Sequence, residues 1–396
     1  MVLTSIYACH ISVLIYLVLT KAEKSKFHIF IRKIILTFNA IAAITLLIAY
    51  AAAYINPASF SSVAFAGLSY PVILAANLAF VIFWLFVKWK YSFLSIIFIA
   101  AGWNNVGRLI EFHPEKKKDE NVRYTKVLSF NIQNLVKEST ISTKHIKDFD
   151  NQSKILKFLR DEKSDIVCLQ ELLYDRKGFE KFPSELGRQI GCKNYYLKNY
   201  YPKNDNKKLD AIAIFTKYKI IYNGFLKYQN KTIAVFADII IKNDTLRVFN
   251  LHLASLHFRD EDYRFISELD IQQKKDEFRK SSGKILYKIN HAFRKRGIQT
   301  KIIEDALSQT PYPVIICGDF NDTPFSYTYR KLSEGHFDAF VESGSGFANT
   351  YAGKLFPILR IDHILYDKKY SSINFKRYKI KLSDHYPISC LIYKAK

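Results

Sequence analysis

At 396 residues the chain is too long for one typical domain and accommodates one large domain plus an appendage. Its formal charge of +23 comes from scattered lysines rather than a block, so charge alone does not make it a nucleic-acid binder; it suits a polyanionic substrate or an anionic membrane surface. Five cysteines, an odd number without CxxC spacing, argue against a zinc or disulfide framework, and Cys168, Cys317 and Cys390 sit in apolar runs as buried free thiols.

Apolar residues concentrate at the N-terminus. Residues 1–113 hold eight Lys/Arg and two acids, which leaves +17 on the remainder. Residues 34–55 and 66–87 are each uncharged for 22 positions, long enough to cross a hydrocarbon core of about 30 Å as helices. Residues 2–20 are apolar enough to span as well. They lack a basic n-region and a small-residue cleavage site, which favours a retained helix over a signal peptide. The stretch 91–110 is weaker, since only its first eleven residues are strongly apolar. Residues 1–112 therefore read as a transmembrane region of three or four helices in a multi-pass inner-membrane protein, with the lipid bilayer as partner. Five Lys/Arg in 21–33 mark the cytoplasmic side, and the uncharged link 56–65 the far side. If 91–110 crosses, the following domain is extracytoplasmic; if it lies in the interface, that domain is cytoplasmic. The sequence leans toward crossing. Residues 113–125, polar and Lys-rich, form a linker.

From residue 126 to 396 strand and helix patterns alternate. KVLSFN opens as a strand, 151–162 has helical spacing at Ile155, Leu156 and Leu159, and DIVCLQEL follows as a buried strand. LDAIAIFTKY, TIAVFADIII and TLRVFNLHL read as successive strands, and 262–307 as a long polar helical stretch. PVIICGDFN, RIDHILYD and LSDHYPISCLIY are further strands with their loops, and FSYTYRKL a short helix. The count suits two packed sheets with flanking helices. Several strands end in polar residues: Asn131; Gln170 and Glu171; Asn250 and His252; Asp319 and Asn321; Asp362 and His363; Ser383, Asp384 and His385. Strand ends of one sheet share a rim, which is how a rigid scaffold assembles a site. Singly, Asn131 and Asn250 read as structural. Glu171, Asp319, Asp384 and His385 as a group do not, because buried carboxylates without a metal or cation are costly.

This set, in this order, resembles the endonuclease/exonuclease/phosphatase superfamily, which includes deoxyribonuclease I, apurinic endonucleases, neutral sphingomyelinases and inositol polyphosphate phosphatases. GDFNDTPFSYTYRKL with RIDHILY and LSDHYPI also resembles bacterial members carrying N-terminal membrane helices. The resemblance implies a four-layered α/β sandwich and hydrolysis of phosphoesters with Mg²⁺ or Mn²⁺. It implies Asn131, Glu171 and Asp384 on the metal side. Asp319 would activate water, Asn321 and Asn250 would contact the phosphoryl group, His252 would contact it or protonate the leaving group, and His385 would pair with Asp362. An acid found two residues after the first Asn in apurinic endonucleases is Gln133 here, and His252 agrees instead with the deoxyribonuclease I and sphingomyelinase branches. Asp210 is either the partner orienting His252 or a solvated residue. His363 faces the other side of its strand and receives no role.

The substrate is a lipid head group or another small phosphoester, favoured by the tether, or nucleic acid, allowed by the basic surface. A catalytically inactive scaffold is the third reading, disfavoured by the intact set. No protein partner is indicated. Specificity is expected from 172–208, 254–310 and 342–358, the second of these an ordinary solvated helix by default.

Overall fold

A computed structural model describes residues 26–133, 146–175, 181–201, 208–256, 262, 275–353 and 359–395. The expected helix at 2–20 lies outside the described residues. The uncharged runs form α1 (Lys26–Ala52), α2 (Ser62–Leu68) and α3 (Tyr70–Val87), followed by α4 (Ser92–Ala101) and α5 (Trp103–Gly107). Two helices, Ile29–Ala52 and Tyr70–Val87, are long and apolar enough to cross a membrane. Their outward faces expose Phe38, Ile41 and Ile44 on α1 and Val72, Ile82 and Phe86 on α3. Asn39, Asn77 and Trp84 turn inward instead. Asn39 donates to Ser95 at 2.6 Å and accepts from Trp84 at 2.9 Å, and Ser95 donates to Asn77 at 2.9 Å. All four are essentially unexposed. Such a network joins helices where the surroundings are apolar.

The stretch 91–110 is not one uninterrupted helix. It breaks at Gly102 between α4 and α5 and ends in β1 (Ile110–Phe112). At 1.5 Å per residue, α4 alone rises about 15 Å, half of a hydrocarbon core. The linker is strapped down: His113 Nε2 lies 2.8 Å from the Val341 carbonyl, and Asn374 exchanges two hydrogen bonds with the Lys116 backbone.

Beyond the linker come β2 (Thr125–Asn131), α6 (Ile146–Glu162), β3 (Ile166–Asp175), α7 (Phe182–Gln189), β4 (Asn194–Asn199), β5 (Lys208–Thr216), β6 (Lys219–Tyr228), β7 (Lys231–Ile241) and β8 (Asp244–His252). Then follow α8 (Lys275–Ser308), β9 (Val314–Asp319), α9 (Tyr327–Ser333), β10 (His336–Asp338), α10 (Ala339–Ser343), β11 (Ser345–Phe347), β12 (Asp362–Asp367), β13 (Tyr370–Arg377) and β14 (Ile388–Lys394). One six-stranded sheet runs β13-β14-β2-β3-β5-β4 and the other β10-β12-β9-β8-β7-β6, while β1 pairs with β11. Between the sheets pack Val127, Ile166, Cys168 and Ile214 from one and Val235, Val248, Cys317 and Ile364 from the other. On one outer face Ile155 and Leu159 of α6 and Leu186 of α7 cover Leu128 and Leu169; on the other Ile303 of α8 and Leu332 of α9 cover Phe249 and Ile316. The result is the four-layered sandwich expected. Among the described residues the cysteines Cys168, Cys192, Cys317 and Cys390 are buried and free.

Each sheet contains one parallel pair, β2 with β3 and β8 with β9. Parallel pairing brings chain ends of the same polarity together, so Asn131 lies opposite Gln170 and His252 opposite Asp319. Antiparallel β12 adds Asp362 beside Asp319. One rim thus collects residues from five chain segments. Gly318 is required there: its φ is +129°, and a Cβ would lie 2.1 Å from the Leu251 carbonyl oxygen. Gly318→Ala is expected to cost about 3 kcal/mol or more, read as a lowered urea midpoint.

Candidate active site

Strand β3 delivers Glu171 through a bulge. Leu169 pairs with Ala213 and Leu172 with Ala211, so Gln170 and Glu171 share one partner position. Glu171 takes φ +53° and Asn321, in the loop after β9, takes φ +52°. Left-handed backbone at two non-glycine residues of one rim is strain held by the surrounding fold, as active sites often show.

A chain of polar contacts runs across the rim. The Asn131 amide donates to Glu171 Oε1 at 3.2 Å and to Asp319 Oδ2 at 3.1 Å. Asp319 also accepts from the Asn321 backbone N–H at 2.8 Å and side-chain amide at 3.0 Å. His385 Nε2 stands 3.7 Å from Asp319 Oδ2, and its Nδ1 donates to Asp362 Oδ2 at 2.9 Å. His252 Nε2 is 3.5 Å from Glu171 and 3.8 Å from Asp319. Ser383 docks the last motif by donating to the Asn131 carbonyl at 2.8 Å. Glu171, Asp319, Asn321, Asp384 and His385 line one cavity.

The electrostatics follow from burial. Desolvation raises the Asp319 carboxyl to about 7, with Asp362 adding to the rise and His385 opposing it. Glu171 is raised by burial, reinforced by Asp384. Burial disfavours the His385 charge, but Asp362 and Asp319 outweigh it and hold the imidazole up to about 10. The ligand atoms of Asp319, Asp362 and His385 lie within 4.8 Å of one another. Within this trio His385 Nδ1 is committed to Asp362, which orders the imidazole beside Asp319 as an acid–base pair. The side nearer Glu171 and Asp384 has the carboxylate-rich donor set that suits a hard divalent cation. Burial is the first cause of the raised Glu171, Asp210 and Asp319 carboxyls, and a neighbouring carboxylate adds to each: Asp384, Glu171 and Asp362 in turn.

The rim therefore brings together Asn131, Glu171, His252, Asp319, Asn321, Asp362, Asp384 and His385. Asn250 does not join them, which corrects its expected contact with substrate. It is fully buried, donates to the carbonyls of Leu169 and Ala213, and accepts from Gln170 at 2.6 Å; it cross-links the two sheets. Its short amide is consumed before it can reach the cavity. His363 is buried on the opposite face of β12, near the rings of Phe320 and Tyr329, with Nε2 3.0 Å from the Asp322 carbonyl. Burial lowers its pKa to about 4. Asp210 is not a solvated residue: burial, with Glu171 nearby, raises its carboxyl to about 7.

Three residues escaped the sequence reading. The Tyr200 hydroxyl accepts from the Glu171 N–H at 3.0 Å, and its ring meets His252 edge-on at 5.0 Å. Lys231, over the Tyr200 ring, is lowered by burial while Asp210 and Glu171 pull it back up. Arg296 of α8 lines the cavity and is held by Asp322 at 3.1 Å, so α8 is part of the site and not an ordinary solvated helix. Tyr200 sits within the Tyr-rich stretch expected to carry specificity; nothing local marks Lys231 or Arg296.

A profile described as "Endonuclease/Exonuclease/phosphatase family" matches residues 128–385, and one described as "Domain of unknown function (DUF8431)" matches residues 32–109. The chain is 25% identical over 203 residues to the CCR4-Not complex 3'-5'-exoribonuclease subunit Ccr4 of Yarrowia lipolytica, a match spanning 43% of this chain and 28% of that protein. Among solved structures, an endonuclease/exonuclease/phosphatase family protein from Leptotrichia buccalis aligns with TM-score 0.45 and 15% identity, covering 68% of this chain and 99% of that one. The endonuclease/exonuclease/phosphatase from Beutenbergia cavernae aligns with TM-score 0.48 and 14% identity, covering 69% and 72%.

Proposed function

The chain belongs to the endonuclease/exonuclease/phosphatase family, and from that premise we propose that it is a membrane-anchored, divalent-metal-dependent phosphoester hydrolase. The observation that carries this reading is the continuous polar path from Glu171 through Asn131 and Asp319 to His385 and Asp362. Glu171 and Asp384, with Asn131 beside them, would hold Mg²⁺ or Mn²⁺. The cation would supply charge neutralisation on the phosphoryl oxygens.

The chain's own residues account for the proton movements. Asp319, raised to about 7, accepts a proton from water near neutral pH. Asn321 fixes the Asp319 carboxylate, and by giving up its 3.2 Å bond to the Leu253 carbonyl would turn one amide hydrogen to a phosphoryl oxygen. His385, kept protonated by Asp362, donates to another. His252 lies beside both carboxylates and gives a proton to the leaving oxygen. One P–O bond forms to the water oxygen and one ester P–O bond breaks.

Membrane attachment rests on α1 and α3. Phe65 meets Phe293 at 5.1 Å, Tyr70 meets Phe325 at 4.0 Å, and Arg330 lies over the Tyr54 ring. These contacts join the catalytic domain to the end where α1 finishes and α3 begins, opposite Lys88 and Lys90. With the basic segment 21–33 in the cytoplasm of a bacterial inner membrane, and α4 with α5 returning the chain from Lys90 to Arg108 beside Pro324, the domain is extracytoplasmic.

Metal addition is the test. At about 100 times its dissociation constant, Mg²⁺ or Mn²⁺ should stabilise the protein by about 2.7 kcal/mol, seen as a raised melting temperature that EDTA reverses. Hydrolysis of bis(p-nitrophenyl) phosphate should follow the same metal dependence. The absence of both effects would sink the proposal. A nuclease is the second reading, favoured by a cavity beside the site lined by Lys231, Lys288, His291 and Lys295. An oligonucleotide in the same assay separates the two.

A further inference from the structure

The catalytic cavity is not built by the catalytic domain alone. Leu68, the last residue of α2, lines it together with Glu171, Asp319 and His385. Leu256, Phe293 and Leu359 continue the apolar side of the wall. Two residues beyond Leu68, Tyr70 begins α3, one of the two helices apolar enough to cross a membrane.

This placement is fixed by packing. A Cβ on Gly67 would lie 2.9 Å from the Phe325 carbonyl oxygen, so α2 approaches the catalytic domain backbone to backbone. Tyr70 is fully buried against Phe325. Arg108, at the end of α5, donates to the Pro324 carbonyl at 3.3 Å, and Arg360 donates to the Arg108 carbonyl at 3.3 Å. Arg360 stands two residues before Asp362, so helical region and catalytic strand share one rigid joint.

The same end of the molecule carries exposed aromatic side chains. Phe60 and Trp103 belong to the helical region, and Phe112 and Phe347 to the paired strands β1 and β11; each is more than half exposed. Trp103 is of the amphipathic aromatic type that collects where hydrocarbon meets water, and the three phenylalanines add exposed apolar surface beside it. The cavity is thus lined by Glu171, Asp319, Asp384 and His385 of the catalytic domain and by Leu68 of the helical region, two residues from the start of α3.

We infer that the site takes an amphiphilic phosphoester drawn from the bilayer, with its phosphoryl group at Asp319 and His385 and its apolar portion against Leu68, Phe293 and Leu359. This rests on the hydrolase reading above and adds the substrate class. Water adds its oxygen to phosphorus, one ester P–O bond breaks, and the departing alcohol carries away a proton. The helical region is on this account part of the substrate site as well as an anchor.

The full chain is reconstituted in vesicles of phosphatidylcholine, phosphatidylethanolamine and phosphatidylglycerol in equal parts, with Mg²⁺. Turnover is compared with that of the deacylated glycerophosphodiesters, a single-stranded oligonucleotide and bis(p-nitrophenyl) phosphate. The expected result is lipid hydrolysis at least about tenfold faster than that of the deacylated forms. Leu68→Gln and, independently, Leu359→Gln should each lower the ratio of lipid to bis(p-nitrophenyl) phosphate turnover about tenfold, the scale of losing an apolar contact. The Mg²⁺-induced rise in melting temperature reports whether each variant is folded. Deacylated forms or oligonucleotide cleaved as fast as lipid, or a ratio unmoved in both variants, would overturn the inference and leave the hydrolase reading standing. No metal-dependent turnover of any substrate would overturn both.

Discussion

Glu171→Gln is expected to lower metal-dependent turnover of bis(p-nitrophenyl) phosphate by about 10²- to 10⁴-fold, the range over which acid–base and electrostatic groups act. It should also raise the melting temperature of the metal-free protein. Burial holds the Glu171 carboxyl above its ordinary value. A carboxyl raised by folding costs stability above its folded pKa, and that cost fades as pH falls through the folded pKa toward the unfolded value. At pH 7.5 the wild-type protein carries the cost in the absence of metal. Glutamine removes the charge and keeps the oxygen that accepts from Asn131. A gain of about 2–4 °C in EDTA corresponds to about 1 kcal/mol in a protein of this size class. The Mg²⁺-induced rise should disappear in the same variant. Scanning fluorimetry with and without Mg²⁺ reads both effects, and a variant that keeps the full metal response would remove Glu171 from the metal site.

Asp362→Asn should be the most damaging exchange at the other end of the rim. Asp362 and His385 are both almost fully buried, at 2% and 6% side-chain exposure, so water cannot replace the lost charge. Breaking a buried pair costs about 3–5 kcal/mol, and turnover should fall about 10²- to 10⁴-fold as His385 loses its proton and its orientation. The penalty has a defined pH course. His385 is raised in the folded protein from 6.5 to about 10, chiefly by Asp362 and Asp319 acting against burial. The stability this contributes is fully present below about pH 6.5 and is lost as pH rises through about 10. Urea midpoints of wild type and variant should therefore differ most at pH 6.5 and converge toward pH 10. A difference independent of pH would mean that His385 is neutral in the folded protein.

Both predictions concern residues that the sequence already displays. Glu171, Asp319, Asp362 and His385 stand at the ends of apolar runs, and the runs are legible because central strands covered on both faces are built from continuous apolar residues. What was illegible follows the same logic in reverse. The strands β4, β6, β10 and β13 lie at the four sheet edges, and none appears in the sequence pattern. An edge strand is half exposed and mixes polar with apolar residues, as Lys219, Asn223 and Lys227 do in β6. Its identity comes from the neighbour it pairs with. The region 172–208, expected to carry specificity, contains the edge strand β4 for this reason, and holds α7 as well.

The sequence by itself determined the two long apolar helices, the strand–helix alternation of a layered α/β domain, the buried thiols, and most of the rim, because each rests on a local pattern of hydropathy or on a polar residue closing a strand. The tertiary structure alone decided that Asn250 is spent between the sheets, that Tyr200, Lys231 and Arg296 attend the site, that the 91–110 stretch breaks into β1, and that Leu68 reaches the catalytic cavity. Each of these is a contact between segments distant in the chain. Such contacts are set by sheet register and by the packing of α2 and α8 against the rim, and no local periodicity records them.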